Sequence, residues 1–80
     1  MIRYEVIAVI QQADEQMSIL IEKARFSIQG YGDFRRKRSE GKYLVFFSTR
    51  YPEFIKKFKI KIKQYCGGNS VKFTERKVEW

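Results

Sequence analysis

The sequence predicts a single α+β domain in which two helices cover one face of a four-stranded antiparallel sheet. Three observations support this prediction. Two short segments are almost continuously apolar, as interior strands are. Two longer segments repeat their apolar residues at the helical period, and glycine-containing turn signals separate the segments. At 80 residues the chain has the length of one domain, residues 1–80.

The first predicted strand covers residues 2–10, a run of mostly β-branched residues without turn signals. Such continuity is typical of a strand in the sheet interior. Successive side chains of a strand point to opposite faces. Two sets therefore result: Tyr4, Val6, Ala8 and Ile10 on one face, and Glu5, Ile7 and Val9 on the other.

A helix is predicted from about residue 13 to residue 29. Asp14 and Glu15 suit its first turn, because the helix dipole favours negative charge there, and Gly30 suits the position just past its end. Ile19 and Phe26 lie off its apolar stripe, and we expect them to flank the core or to contact a partner. The stripe consists of Ala13, Met17, Leu20, Ile21, Ala24 and Ile28.

Two strands follow, one polar and one apolar. Residues 31–38 contain only Tyr31 and Phe34 as large apolar groups, and they carry the basic run 35–38. This composition is typical of an edge strand, where charge opposes aggregation. A Ser-Glu-Gly turn separates it from residues 43–47, five consecutive apolar residues that predict a second interior strand.

The second helix is predicted from Pro52 to about residue 66, before two glycines. Its apolar face would consist of Tyr51, Phe54, Ile55, Phe58, Ile62, Tyr65 and Cys66. A competing period-two pattern places Phe58, Ile60 and Ile62 on one strand face, but fewer residues fit it. On the helix, Ile60 points away from the core, among lysines. A last strand is predicted at residues 71–78.

The order strand, helix, strand, strand, helix, strand predicts the ferredoxin-like fold, with sheet order 4-1-3-2 and both helices on one face. That order places the two apolar strands in the middle and the two charged strands at the edges. Sequence pattern and topology therefore agree.

Composition argues against catalysis, metals and cofactors. The sequence has no histidine and one cysteine, so it lacks the usual proton-transfer residue near neutral pH and a zinc-ligand cluster. Cys66 lies near the C-terminus of the second predicted helix, where the dipole disfavours a thiolate. We expect a protein without enzymatic activity or cofactor.

The sequence also predicts a cytoplasmic location, or the host cytoplasm for a viral protein. A lone thiol is typical of a reducing compartment, and no apolar run resembles a signal peptide or a membrane span.

The charge is unevenly distributed. The first 30 residues carry three basic and four acidic side chains, whereas the last 50 carry fourteen and five, giving a net charge of +8 for the whole chain. We expect one positive region that binds nucleic-acid phosphates, RNA or DNA, or an acidic protein. It would comprise Arg35, Arg36, Lys37, Arg38, Lys56, Lys57, Lys59, Ile60, Lys61 and Lys63.

The third predicted strand can be compared with a motif that recognises RNA bases. RNA-recognition-motif domains share this fold and carry stacking aromatics in their third strand. Residues 40–47 place Gly41, Val45 and Phe47 as that motif does, but Lys42 and Leu44 occupy the two stacking positions. The sequence is therefore not assigned to that family, and backbone binding is the expected mode. Residues 1–10 resemble the first strand of a ribosomal small-subunit protein of this fold, a resemblance that includes no functional motif.

The alternative is a small protein-binding modulator or inhibitor that docks its basic face on an acidic partner. Apolar groups support it: Ile60 among lysines, and Ile7, Val9 and Phe46 on the sheet face that no helix would cover. That face could also mediate a homodimer. The abundance of lysine, isoleucine, phenylalanine and tyrosine is typical of an AT-rich genome and compatible with a phage-encoded modulator.

Overall fold

The structure, a computed structural model, describes residues 1–11, 14–67 and 71–79. Its elements are β1 (Ile2–Ile10), α1 (Glu15–Ser27), β2 (Asp33–Ser39), β3 (Lys42–Thr49), α2 (Pro52–Cys66) and β4 (Val71–Glu79). The sheet order is β2-β3-β1-β4, and all neighbouring strands are antiparallel. Read from the other edge this is the predicted order 4-1-3-2, so the ferredoxin-like fold is confirmed.

The core forms between the helices and alternate residues of the two interior strands. β1 contributes Val6, Ala8 and Ile10, and β3 contributes Tyr43, Val45 and Phe47. The buried helical residues are Met17, Ile21 and Ala24 of α1 and Ile55, Phe58, Ile62 and Cys66 of α2. These are the faces that strand alternation and helical periodicity predict.

Phe58 is the centre of the aromatic packing. Its ring stacks on Phe47 of β3, with centroids 5.0 Å apart, and meets the edges of Phe34 at 5.8 Å and Phe73 at 6.4 Å. One side chain of α2 thus contacts three strands, including both edge strands. Phe34 and Phe73 therefore lie on the helix-covered side of the sheet.

The first helix is shorter than predicted at both ends. Asp14 is its N-cap, and its carboxylate accepts a hydrogen bond of 2.8 Å from the Met17 backbone N–H. Ile28 is the C-cap and not part of the helix. The prediction of residues 13–29 was therefore too long. The Asp14 side chain caps the N-terminus, and the Ile28 backbone N–H donates to the Arg25 carbonyl at the C-terminus, two contacts that apolar periodicity does not reveal. Ala13 lies outside the described residues.

The second strand begins two residues later than predicted, at Asp33. The buried Thr49 hydroxyl donates to the Tyr31 carbonyl at 2.8 Å, which holds Tyr31 in the loop before the strand. Tyr51 was also misassigned to the buried face of α2. It is the N-cap residue and is 55% exposed. β4 extends one residue further than predicted, to Glu79.

Candidate functional site

The sheet has one face that neither helix covers, which we call the open face. Strand register places Arg35, Phe46, Ile7 and Thr74 in one row across all four strands. The next row contains Lys37, Leu44, Val9 and Lys72. Side chains directly opposite one another on one face lie about 5 Å apart at Cβ, so each row is a continuous surface.

The centre of the open face is apolar. Ile7, Val9, Leu44 and Phe46 are only partly exposed, although no helix lies over them. A trough of about 830 Å³ crosses this face, with Ile7 and Phe46 among the residues of its floor. Asp33, Arg35 and Lys37 line it on the β2 side, and Arg76 lines it on the β4 side. Glu5 of β1 also lines it. The trough therefore has an apolar floor, and its walls carry both cations and carboxylates.

Basic side chains outnumber acidic ones on this face. Six basic residues occupy its alternating positions: Arg3, Arg35, Lys37, Lys42, Lys72 and Arg76. Its two carboxylates belong to Glu5 and Asp33, and both are already paired. Asp33 binds Arg3 at 2.6 Å, and Glu5 binds Arg76 at 2.5 Å.

The ion pairs confine the excess charge to part of the face. Arg3 joins three strands, because it donates to Ser48 Oγ on β3 at 2.5 Å as well as to Asp33 on β2. The row Asp33, Ser48, Glu5 and Arg76 is thereby compensated. In the parts of the chain that the structure describes, no carboxylate forms an ion pair with Arg35, Lys37, Lys42 or Lys72. These four cations lie around the apolar centre without a counterion among the described residues.

The basic run 35–38 divides between the two faces of the sheet. Arg35 and Lys37 belong to the open face, whereas Arg36 and Arg38 alternate to the helix side. Arg36 is engaged there within the protein. Its guanidinium donates to the Ser18 hydroxyl at 2.8 Å and to the Ser18 carbonyl at 3.0 Å, and it lies 3.4 Å from the Glu22 carboxylate. Arg36 therefore joins β2 to α1.

The lysines of α2 lie on the helical layer, away from the open face. Lys59 forms an ion pair of 2.5 Å with Glu75 of β4, and Lys63 lies over the Phe73 ring at 5.7 Å. Lys57 lies over the Tyr31 ring at 4.6 Å, on another side of the helix. β4 is the edge strand opposite to β2. The structure therefore does not bring the predicted residues into one surface.

The remaining predicted residues are on the outer part of α2. Lys56 is exposed and Lys61 is partly exposed. Ile60 is 56% exposed, so its predicted orientation away from the core is confirmed. It is an apolar side chain on an otherwise basic helix surface.

Sequence reasoning identified the apolar residues Ile7, Val9 and Phe46 of the open face but missed most of its cations. Arg3, Lys42, Lys72 and Arg76 are scattered through the sequence and form no run. Period-two alternation would have separated Arg35 and Lys37 from Arg36 and Arg38. The alignment of Lys72 with Lys37 across the sheet depends on strand pairing, for which the sequence carries no local signal.

Other chemically active groups are few. Cys66 is buried at 5% exposure, and burial raises the pKa of its thiol from 9.0 to about 11, so the reactive thiolate is disfavoured. Among residues 1–11, 14–67 and 71–79, no group of three Cys, Asp or Glu side chains is placed to hold a metal ion. Neither helix described by the structure is long and apolar enough to span a bilayer.

Comparison with known proteins supports the fold. No protein-family model and no curated protein matches the sequence. An uncharacterized protein of Thermotoga maritima, TM1266, has a similar structure, with a TM-score of 0.67 and 10% identity over 99% of this chain and 100% of that one. The de novo designed protein Foldit4 is also similar, with a TM-score of 0.66 and 12% identity over 99% of this chain and 97% of that one. At these identities the likeness extends to the fold alone.

Proposed function

We propose that this protein binds nucleic acid through its phosphate groups, using the open face of the sheet. One observation carries the proposal: four cations lie around the apolar centre of the open face without an ion-pair partner among the described residues, namely Arg35, Lys37, Lys42 and Lys72. Uncompensated cations on one surface attract polyanions, and phosphate binding releases the polyanion's counterions. The net charge of +8 adds long-range attraction.

The proposed contacts differ from the basic surface expected from sequence. Arg35 and Lys37 keep their role, and Lys42 and Lys72 join them. Arg36 is assigned a structural role because its guanidinium already binds Ser18 and Glu22. The lysines of α2 make no proposed phosphate contact, and they contribute to solubility and to long-range attraction. The absence of histidine from the sequence supports a binding protein without enzymatic activity.

A salt titration of binding to a short oligonucleotide tests this assignment. The double variant Arg35→Gln, Lys37→Gln removes two proposed phosphate contacts. On a single strand it should therefore flatten the slope of log K against log salt by about 1.4, since each contact contributes roughly 0.7. The matched control Arg36→Gln, Arg38→Gln removes the same charge from the same strand but on the opposite face. It should leave the slope nearly unchanged.

Two results would overturn the proposal. One is the absence of binding at about 50 mM salt, where a protein making several phosphate contacts binds strongly. The other is an equal loss of slope in both double variants. Equal losses would mean that total charge, and not the open face, determines affinity.

A second candidate function is the binding of an acidic protein by the outer surface of α2. The observation that favours it is Ile60, which is 56% exposed on a surface where Lys56, Lys57 and Lys63 are also exposed. An apolar side chain rimmed by charge is a common feature of protein interfaces. The open face and this surface are separate, so variants at each distinguish the two candidates.

A further inference from the structure

We infer that the ligand is single-stranded nucleic acid, RNA or DNA, and that one of its bases stacks on Phe46 in the trough. This inference rests on the proposed function and names the class of ligand that the same face takes. Phe46 lies in an interior strand, with Arg35 opposite it on one side and Ile7 on the other. The aromatic ring is thus within one strand spacing of a cation that has no ion-pair partner among the described residues.

The apolar floor is the first argument for a single strand. Ile7, Val9, Leu44 and Phe46 form a continuous uncovered group between the cations of β2 and β4. A duplex presents phosphates and groove edges to a protein, and its base faces stay stacked inside. A single strand offers both phosphates and unstacked base faces, and every base can stack on an aromatic ring. Of the two, only the single strand can place phosphates on the cations and base faces on the apolar residues at the same time.

The width of the sheet is the second argument. Four strands in the order β2-β3-β1-β4 place the edge strands about 14 Å apart, from spacings of about 4.8 Å. The major groove of a DNA duplex is only about 12 Å wide and admits a helix or a two-stranded ribbon. The open face is therefore too broad to enter the undistorted major groove, whereas a single strand can lie across it.

Charge also argues against a second copy of this chain as the occupant. Face-to-face pairing would set Arg35, Lys37, Lys42 and Lys72 of one copy against the same cations of the other. Like charges brought together in this way are destabilising. A polyanion compensates them instead.

Equilibrium binding of a fluorescent oligothymidylate and oligouridylate, each about 12 nucleotides long and within the site sizes of single-strand-binding folds, tests the inference. A duplex of equal length is the comparison. We expect tighter binding of at least one single strand than of the duplex. Phe46→Ala should weaken single-strand binding roughly 5- to 150-fold, the range for loss of one base–aromatic stack. It should leave the salt slope and the duplex affinity unchanged.

The chain offers a matched control, since Phe26 is 67% exposed on α1. Phe26→Ala removes an exposed ring from the helical layer and should not change affinity. If thermal melting shows that Phe46→Ala is unfolded, Phe46→Tyr and Phe46→Leu replace it. Tyrosine keeps the stacking ring and should retain affinity, whereas leucine keeps apolar bulk without a ring and should lose it.

The outcomes separate this inference from the proposed function. If neither single strand nor duplex binds, the proposed function fails and this inference fails with it. If both bind equally and the Phe46 variants have no effect, phosphate binding stands and base stacking is wrong. A dimer in sedimentation equilibrium that dissociates in the Phe46 variants would also overturn the inference, because a second copy would then occupy the face.

Discussion

Gly32 packs against the backbone carbonyl oxygen of Ser48, so closely that a Cβ atom on Gly32 would overlap that oxygen. The same Cβ would lie 3.1 Å from the Phe47 ring and from Thr49 Cβ. The chain entering β2 can therefore reach the end of β3 only without a side chain at residue 32.

Gly32→Ala should destabilise the protein by about 1–3 kcal/mol, the usual cost of inserting a methyl group into a filled site. The neighbouring atoms are backbone and core atoms, which cannot move aside as a flexible side chain could. Urea denaturation measures the free energy of unfolding. An alanine variant as stable as the wild type would contradict the close approach.

Arg36 and Glu22 should be energetically coupled. Their charged groups are 3.4 Å apart and about one-third exposed, and partly exposed ion pairs contribute about 0.2–1 kcal/mol. A double-mutant cycle with Arg36→Ala and Glu22→Ala should give that coupling, and added salt should reduce it. The control cycle pairs Glu22 with Arg35, which lies on the opposite face of the sheet. A coupling of Arg35 to Glu22 as large as that of Arg36 would contradict the assignment.

Cys66 should make stability fall as pH rises through the alkaline range. Burial raises the pKa of its thiol from 9.0 to about 11 in the folded protein. Between these values the unfolded chain has lost the thiol proton while the folded chain keeps it, so unfolding becomes easier. The loss should reach about 1 kcal/mol at pH 10.

The control for this pH dependence is Cys66→Ala. The thiol contribution is the difference between the two pH profiles, since the two proteins share every other ionisable group. Iodoacetamide should also react slowly with the folded wild type and quickly in urea. Suppose that the stabilities of the wild type and Cys66→Ala change in parallel with pH and that iodoacetamide reacts quickly with the native protein. Together these results would show that the thiol is not buried.

Ile60→Ser should change stability by less than about 0.5 kcal/mol, because the side chain is 56% exposed and replacements on the surface are usually nearly neutral. It should also leave oligonucleotide affinity unchanged, since α2 lies on the other side of the sheet from the trough. Fluorescence binding and thermal melting measure both quantities. A loss of oligonucleotide affinity would indicate that nucleic acid binds to α2 and not to the open face.

The same variant addresses the acidic-protein candidate. A nuclease-treated pull-down that loses an acidic protein with Ile60→Ser, but keeps it with Phe46→Ala, would favour that second function. Loss with Phe46→Ala alone would exclude the α2 surface as the binding site.

Much of the fold was predictable because the relevant signals are local. The apolar runs of β1 and β3 and the charged composition of β2 and β4 indicated which strands are interior and which are edges. Helical periodicity placed Phe58 inside and Ile60 outside. The errors occurred where a specific contact set the start of an element: the Asp14 cap began α1, and the Thr49 hydrogen bond kept Tyr31 out of β2.

The candidate site was predicted less well, for a physical reason. Hydrophobic periodicity assigns each residue to a face from its near neighbours in sequence, and so the sequence by itself determined the element order, the core and the uncovered apolar residues. Which charges become neighbours depends on how distant elements pack together. Strand register aligns Lys37 with Lys72 and brings Arg76 to Glu5, and helix packing brings Glu22 to Arg36. Only the tertiary structure decided which cations are paired with carboxylates and which have no ion-pair partner among the described residues, because Coulomb interactions act through space between residues that the chain separates.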